Sequence, residues 1–423
     1  MDGPTRVTCC VVGCGPAGAM LGLLLARAGV DVLVLEKHAD FLRDFRGDTL
    51  HASTLQVLDE LGLAEDVLAL PHSATAAVGV SIGDSDFRLA DFRRLRGKYR
   101  YIAFMPQWDL LDFLTKEASR LPTFRLRMQA EAVGVVQEGG RVVGVTVRSP
   151  DGAEETVRAE LTVAADGRGS AVRRSAGLRP VSFGAPMDVL WFRLSKRDSD
   201  PGQTFGRLGP NRLLVLIDRG DYWQVGLVIP NGAYGEVQRR GMDAFRAELA
   251  RLAPFLADRV GEVRSWDDVR MLDVQVDRLP RWWRPGLLCI GDAAHAMSPI
   301  AGVGINLAVQ DAVAAANLLA GPLRAGGTIG TLPLARVQRR RTLPTVLTQR
   351  VQRAIQDGFL SPLLAEQDGR AEVRPPRLLR VLQRVPALQA IPAWFVGRGV
   401  RPEHLRPAAT GQPGDWRPAA ASR

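Results

Sequence analysis

Two spacings of hydrophobic residues follow one another at the start of the chain. Residues 7–12 form an apolar, β-branched run that predicts a strand, and residues 19–28 predict a helix that ends at Gly29. Residues 32–35 predict a second strand, which completes a βαβ unit of about 30 residues. Helical spacing recurs at 53–62, 107–120 and 306–320, and further strands are predicted at 131–137, 141–148, 155–163 and 287–290. This order predicts an α/β fold.

The pattern changes between residues 181 and 269. Strand-like stretches recur at 189–194, 212–218 and 222–229, and turn residues such as Arg219-Gly220-Asp221 separate them. This part predicts an antiparallel sheet with a helix at 245–256 on its edge. The chain is helical and basic from Leu334 onward, and residues 406–423, rich in Pro, Ala and Gly, predict a disordered tail.

Composition narrows the class of protein. The chain has 423 residues, of which 46% are hydrophobic and 24% charged, as in globular proteins. We find no apolar run of about 18 residues that predicts a membrane span, and a strand starts too early for a secretory signal to precede it. The four cysteines lack the spacing of metal ligands, so we expect no metal and a cytoplasmic location.

The net charge of +10 is concentrated near the end of the sequence. Residues 334–423 contain 16 Arg, no Lys and 6 Asp or Glu, an excess of +10 that leaves the first 333 residues about neutral. No nucleic-acid-binding signature accompanies this charge, so we expect no nucleic-acid partner. Arg377, Arg380 and Arg384 alternate with apolar residues, a pattern that suits either packing on the protein or docking on an anionic membrane. We favour packing.

Glycines follow the first predicted strand in the order Gly13-x-Gly15-x-x-Gly18. The first allows a tight turn, the second lets the backbone approach a pyrophosphate, and the third lets helix and strand pack closely. Glu36 lies 23 positions after Gly13, at the end of the second strand, where a carboxylate can accept from ribose hydroxyls. The sequence therefore predicts a dinucleotide site.

Two later segments carry a resemblance to a known family. The first runs from Ala165-Asp166-Gly167 to Arg173, and the second is Gly291-Asp292-Ala293-Ala294-His295, followed by Pro299, Gly302, Gly304 and Asn306. With the glycine motif, they resemble the three-part signature of single-component FAD-dependent aromatic hydroxylases, similar to p-hydroxybenzoate and ubiquinone-pathway hydroxylases. The resemblance covers residues 7 to 405. It implies a Rossmann-like FAD-binding domain, an antiparallel-sheet substrate domain and C-terminal helices.

The resemblance also implies a reaction. NADH or NADPH reduces non-covalent FAD, and O2 then forms a C4a-hydroperoxide that oxygenates a small aromatic or polyketide-like substrate. The turn at residues 301–304 would let the flavin swing between two poses. Implied FAD contacts are Gly13, Gly15, Gly18, Glu36, Lys37, Arg46, Gln107, Asp166, Gly291, Asp292, Gly304, Ile305 and Asn306. Catalytic roles are implied for Pro299, Gly302, Gly304 and Asn306, and substrate contacts for Trp191, Arg193, Trp223 and Gln224. We expect His295 to form hydrogen bonds within its turn rather than to transfer protons.

The three motifs must converge on one FAD, which predicts how the chain is divided. We assign residues 1–75, 100–178 and 268–350 to the FAD-binding domain, 76–99 and 179–267 to the substrate domain, and 351–405 to C-terminal helices. Three alternatives remain: a flavin halogenase of the same fold, a geranylgeranyl-reductase-like enzyme and a non-catalytic FAD-binding protein. The halogenase pattern Trp-x-Trp-x-Ile-Pro is absent from the sequence. The substrate, the choice between NADH and NADPH, hydroxylation against epoxidation or cleavage, and monomer against homodimer stay open.

Overall fold

A computed structural model describes residues 5–42, 49–83, 85–202, 204–209, 212–365 and 377–407. The strands are β1 (Thr5–Val12), β2 (Val32–Leu35), β3 (Thr49–Leu50), β4 (Ser73–Thr75), β5 (Ala77–Ile82), β6 (Ser85–Asp91), β7 (Ile102–Phe104), β8 (Phe124–Arg127), β9 (Glu131–Glu138), β10 (Arg141–Arg148), β11 (Glu154–Ala164), β12 (Val181–Ser182), β13 (Met187–Ser195), β14 (Phe205–Gly209), β15 (Arg212–Asp218), β16 (Tyr222–Pro230), β17 (Arg270–Leu272), β18 (Asp277–Arg278), β19 (Trp283–Arg284) and β20 (Leu287–Cys289). The helices are α1 (Pro16–Arg27), α2 (Ala52–Glu60), α3 (Ala64–Leu68), α4 (Gln107–Ala118), α5 (Ala171–Ser175), α6 (Tyr234–Arg239), α7 (Met242–Leu252), α8 (Gly304–Arg324), α9 (Thr331–Ile355), α10 (Ser361–Ala365), α11 (Arg377–Arg384) and α12 (Ala390–Gly397).

A largely parallel sheet forms the first layer of the fold. Its main strand order is β19-β20-β11-β1-β2-β8, and β10 and β9 extend it from β11 as an antiparallel hairpin. β1 pairs in parallel with β11 on one side and with β2 on the other, and β20 pairs in parallel with β11. The predicted Rossmann-like arrangement is confirmed. The carboxyl ends of β1, β11 and β20 therefore meet at one edge, which is where open parallel sheets bind ligands.

A second, mainly antiparallel sheet is built from the region where the sequence pattern changed. Its order is β17-β13-β16-β15-β14-β5-β6, so the segment 77–91 joins strands from 187–272. The predicted strands at 189–194, 212–218 and 222–229 correspond to β13, β15 and β16. The predicted helix at 245–256 is the helix α7, which starts three residues earlier, followed by a separate 3-10 turn at Pro254–Leu256.

The two faces of this sheet have different neighbours. Leu190, Phe192 and Trp223 point to one face and pack with helix α7 in a separate hydrophobic core. Alternate residues of the same strands, such as Trp191 and Val215, pack instead against the core of the parallel sheet. Because successive side chains in a strand point to opposite faces, this second face is the one turned toward the first layer.

Helix α8 crosses the middle of the molecule. The segment Ile300–Arg324, which includes this helix, is long and apolar enough to span a membrane by length and composition, but 83% of its apolar window is buried inside the fold. It is a core helix that packs against α1 and α9. Helix α9 runs to Ile355, past position 350, where the sequence placed the start of the C-terminal helices.

Helix α11 packs on the second sheet rather than standing free. Leu379 and Leu382 are buried, and Leu379 lies in a cluster with Val80 and Ile82 of β5. Its Arg377, Arg380 and Arg384 are not buried. Of the predicted tail, residues 408–423 lie outside the described part of the chain.

Candidate active site

The glycines in the turn after β1 are explained by two different physical causes. Gly13 has φ of +92°, and a Cβ atom there would lie 2.5 Å from the carbonyl oxygen of Ala165. A Cβ atom on Gly18 would lie 1.9 Å from the carbonyl oxygen of Gly13. Around Gly15, by contrast, a Cβ atom would meet nothing within 4 Å. Protein packing therefore requires Gly13 and Gly18, whereas Gly15 leaves its backbone open to a ligand in front of α1.

Glu36 directly follows β2 and lies at the same edge of the sheet. Its side chain is buried, and its carboxylate accepts hydrogen bonds from the backbone N–H of Cys14 at 3.0 Å and of His38 at 3.1 Å. The His38 Nδ1 atom lies 2.7 Å from the same carboxylate. Glu36 is thus held against the glycine turn, and the neighbouring Lys37 is exposed.

Two acidic residues follow the adjacent strands. Asp166 comes after β11, and burial raises the pKa of its carboxyl group. Asp292 comes after β20; its side chain is 43% exposed, with one carboxylate oxygen 3.8 Å from the Arg168 guanidinium. Gly291 precedes it with φ of +57°, and a Cβ atom there would lie 3.1 Å from the Cβ of Ala17. That close approach brings Asp292 to the first turn of α1.

The segment from Pro299 to Gly304 leads into α8 through a tight turn. Ala301 and Gly302 both have left-handed backbone angles, with φ of 64° and 60°. Helix α8 then starts at Gly304, where a Cβ atom would meet nothing within 4 Å, and its N-cap residue Val303 makes no side-chain capping bond. The N–H groups of the first helical turn have no intrahelical acceptors, and the helix dipole adds partial positive charge. Ile305 lies in this turn.

Polar residues of β3 and of the start of α2 form hydrogen bonds with this turn and with the first turn of α8. The carbonyl oxygen of Gly302 accepts from Thr49 Oγ1 at 2.6 Å and from His51 Nε2 at 3.0 Å. Asn306 accepts at Oδ1 from Ser53 Oγ at 2.8 Å and from Thr54 Oγ1 at 2.7 Å. The carboxamide of Asn306 is therefore bonded to α2. The sequence indicated only an amphipathic helix for this segment, because nothing in its spacing points to a carbonyl some 250 residues away.

His295 lies in a buried ion-pair network. Its Nε2 is 2.6 Å from an Asp311 carboxylate oxygen, which also accepts from the backbone N–H of Gly291 at 3.1 Å. The other oxygen of Asp311 accepts from Arg341 Nε at 2.9 Å. Both partners hold the pKa of Asp311 below its usual range, against the effect of burial. His295 thus connects its own turn to α8 and α9. We expected hydrogen bonds within the turn, and the observed network extends beyond it.

The second sheet brings three of its four candidate substrate residues to one face. Trp191, Arg193 and Gln224 lie on neighbouring positions of β13 and β16, with Arg193 opposite Gln224 and Trp191 opposite Gly226. The Trp191 ring covers Gly226, where a Cβ atom would lie 2.8 Å from the ring. Trp191 also shares a hydrophobic cluster with Ile300 of the turn before α8.

Trp223, the fourth candidate substrate residue, does not lie on this face of the sheet. It points to the opposite face, is fully buried in the core beneath α7, and donates from Nε1 to Asp200 at 2.9 Å. An ion pair between Asp200 and Arg259 holds this arrangement. Trp223 is therefore left out of the substrate site that we propose below.

Arg219 lies in the turn before β16, and the sequence predicts only a turn position for it. Its Nε and Nη2 atoms donate to Gln224 Oε1 at 2.9 and 2.6 Å. The guanidinium carbon lies 6.0 Å from the centre of the Phe104 ring in β7. Gln107, three residues after Phe104, opens helix α4. Arg219 thus connects the second sheet to the three-stranded sheet formed by β3, β7 and β4. Arg46 lies outside the described residues.

Comparison with known proteins indicates the family to which the chain belongs. The chain matches a family model described as an FAD-binding domain over residues 6–349. It is 37% identical over 322 residues to 6-methylpretetramide 4-monooxygenase of Streptomyces rimosus, covering 74% of this chain and 75% of that protein. It is 24% identical over 335 residues to a 1H-pyrrole-2-carbonyl-(peptidyl-carrier protein) brominase of Pseudoalteromonas luteoviolacea, covering 73% and 76%. The structure of an anhydrotetracycline hydroxylase from Streptomyces rimosus matches with a TM-score of 0.71 at 24% identity, covering 93% of this chain and 76% of that one.

These matches define the class of protein. The chain belongs to the FAD-binding family that this model describes, and it is an FAD-dependent flavoprotein monooxygenase. The predicted resemblance, cofactor and enzyme class are confirmed. The open backbone at Gly15 and at Gly304, beside buried Glu36 and half-exposed Asp292, fits a dinucleotide cofactor laid along this edge of the sheet.

Proposed function

We propose that this enzyme hydroxylates a flat, polycyclic aromatic polyketide, using O2 and FAD that NADH or NADPH has reduced. The observation that carries the substrate class is the face of the second sheet. There the Trp191 ring packs against Gly226 and shares a cluster with Ile300 of the turn before α8, so it would form an apolar wall of the pocket. A planar ring system suits such a wall. The relative that acts on 6-methylpretetramide supports the same class.

The cofactor contacts that we propose follow from the geometry of the edge. The backbone at Gly15 and the start of α1 would face the pyrophosphate, together with Arg46 by family resemblance. Glu36 would accept from the ribose hydroxyls beside Lys37, and Asp292 would accept from the ribityl chain. Gln107, Asp166 and the N–H groups of Gly304, Ile305 and Asn306 would complete the site. Residues 1–75, 100–178 and 268–350 would form this FAD-binding part, and the second sheet would hold the substrate.

Bound FAD supplies the oxygen-transfer chemistry, and the protein supplies position, exclusion of water and charge. Trp191 and its apolar neighbours would keep water from the reacting edge. Within the described residues, the buried Trp191 Nε1 atom has no hydrogen-bond partner, so its N–H group is able to donate to a substrate oxygen. Pro299 and Gly302 would shape the turn on which the flavin rests.

Arg219 gives the site its charge. Gln224 accepts hydrogen bonds from two of its nitrogens through a neutral amide oxygen, and the guanidinium itself is positively charged. A cation beside a phenol or enol favours its ionised form. An ionised oxygen makes the adjacent ring carbon electron-rich, which is what oxygen transfer to an aromatic ring needs. Arg193, exposed and stacked 3.8 Å from the centre of the Tyr222 ring, would lie at the mouth.

A substrate screen tests this proposal. Aromatic polyketides with and without an acidic phenol or enol are incubated with enzyme, FAD and either nicotinamide, and NAD(P)H consumption is followed with product mass. We expect one added oxygen on the acidic compounds. Arg219→Gln should raise KM for them and leave FAD content unchanged, whereas Arg197→Gln, an exposed arginine paired with Asp258, should change neither. Equal KM values in the two variants would contradict the role of Arg219.

We also propose a cytoplasmic location, since Cys9, Cys10, Cys14 and Cys289 are all buried free thiols. Reducing conditions preserve such thiols. Cell fractionation of tagged protein checks the location.

A further inference from the structure

The carbonyl group of Gly302 is unusually well held for a residue in a surface turn. It accepts two side-chain hydrogen bonds, from Thr49 Oγ1 at 2.6 Å and from His51 Nε2 at 3.0 Å. The Thr49 hydroxyl also occupies the space beside Gly302, since a Cβ atom there would lie 2.7 Å from it. Two donors on one carbonyl define the plane of that peptide and not only its position.

His51 is suited to a permanent role as a donor. It is completely buried, and burial lowers its pKa from 6.5 to about 4. The ring is therefore neutral near pH 7 and carries one N–H group. Nε2 lies 3.0 Å from the carbonyl oxygen of Gly302, which can only accept, so we place the proton on Nε2.

The geometry of the peptide bond carries the effect to the helix. The carbonyl of Gly302 and the N–H of Val303 belong to one planar trans peptide, and they point in opposite directions. With the carbonyl drawn toward β3, the Val303 N–H is turned away from it, at the uncapped start of α8. Ser53 and Thr54 hold Asn306, one turn further along, from the same side. The segment from Thr49 to Thr54 thereby sets the direction of the first donors of α8.

We propose that Thr49 and His51 are positioning residues that aim the N–H groups at the start of α8 toward the pyrimidine edge of the flavin. This inference rests on the proposed placement of FAD. The edge gains negative charge when the flavin is reduced, so donors fixed in this direction stabilise reduced FAD more than oxidised FAD. The turn itself stays in place, so any swing of the flavin is a movement relative to the turn.

The midpoint potential of the bound flavin tests the proposal, because a merely structural change would not shift it selectively. Thr49→Val and His51→Leu each remove one donor. Each should weaken the preference for reduced over oxidised FAD by about tenfold, which is a potential about 30 mV more negative for a two-electron couple. Thr49→Ser keeps the hydroxyl and should restore the wild-type potential.

Thr75→Val is the matched control. Thr75 lies in β4, which belongs with β3 and β7 to one three-stranded sheet; it is buried, whereas Thr49 is partly buried, and it donates at 2.6 Å to a different carbonyl, that of Ala77. Its loss should leave the potential unchanged. Wild-type potentials in Thr49→Val and His51→Leu, with FAD bound, would overturn the proposal; failure of either variant to fold leaves the other to decide. Wild-type protein that binds no FAD would instead overturn the proposed FAD site.

Discussion

The three glycines in the turn after β1 serve two roles, close packing of the protein and open access for a ligand. Gly13 and Gly18 are required by contacts of 2.5 and 1.9 Å with the protein's own backbone, whereas Gly15 has an ordinary φ of −72° and an empty surrounding. A larger residue at Gly15 therefore meets only a ligand.

Gly15→Ala should consequently retain the stability of the fold and lose FAD affinity by about tenfold or more. Titration with FAD measures the affinity, and chemical denaturation without added FAD measures the stability. Gly261→Ala is the control, because a Cβ atom there also meets nothing within 4 Å. Equal FAD affinity in the two variants would contradict the placement of the pyrophosphate.

His51 gives a second prediction, for the pH dependence of stability. The unfolded chain takes up a proton at this ring below about pH 6.5, but the folded chain does so only near pH 4, because burial lowers its pKa to about 4. The free energy of unfolding should therefore fall as the pH drops through this window, by at most about 3 kcal/mol from this residue.

Chemical denaturation of wild type and His51→Leu across this window checks the prediction. The variant should lose that part of the pH dependence, and a His72→Gln variant, altered at an exposed ring, should keep it. Parallel curves for wild type and His51→Leu would contradict the assignment of a neutral, buried ring.

Sequence reasoning reaches some residues of the site and not others. The glycines, Glu36 and Asp292 lie at the ends of predicted strands, so topology alone brings them to one edge. Thr49 and His51 act on a carbonyl about 250 positions later, and no local pattern marks such a bond. Trp191 and Trp223 both lie on strands, but only the register of β13 against β16 shows that they point to opposite faces.

The β13–β16 pair is the element that shapes the substrate face. Gly226→Ala should push the Trp191 ring aside, since the new Cβ atom would lie 2.8 Å from it. We expect a change in substrate preference, seen as a several-fold rise in KM for large substrates, with FAD affinity unchanged. Gly235→Ala, in α6, meets nothing within 4 Å and should behave as wild type. Unchanged KM values in Gly226→Ala would exclude Trp191 from the pocket wall.

Elements were predictable where their pattern was long and regular. β13, β15 and β16 follow the expected ranges closely, as does α4. β14 was missed because Gly206 and Gly209 interrupt its short apolar run, and glycine lowers strand propensity. The end of α7 was placed too far along because Pro254 begins a new 3-10 turn there.

At the scale of the whole molecule, the basic charge of residues 334–423 bears on possible partners. Leu379 and Leu382 of α11 are buried in the fold, and Leu379 packs with Val80 and Ile82 of the second sheet, so the apolar face that these two leucines form is covered by the protein rather than open to a membrane. We predict no salt-sensitive sedimentation with anionic vesicles. Binding that Arg377→Gln/Arg380→Gln abolishes would contradict this packing and revive the membrane hypothesis.

The central claim is that this chain transfers one oxygen atom from O2 to an aromatic polyketide. The most direct measurement is the mass of the product after turnover with FAD, NADH or NADPH and isotopically labelled O2 in unlabelled water. We expect a product that contains one labelled oxygen atom on the ring, with one NADH or NADPH oxidised for each product formed. A product without the label, or consumption of nicotinamide that yields only hydrogen peroxide with every aromatic polyketide tested, would contradict it.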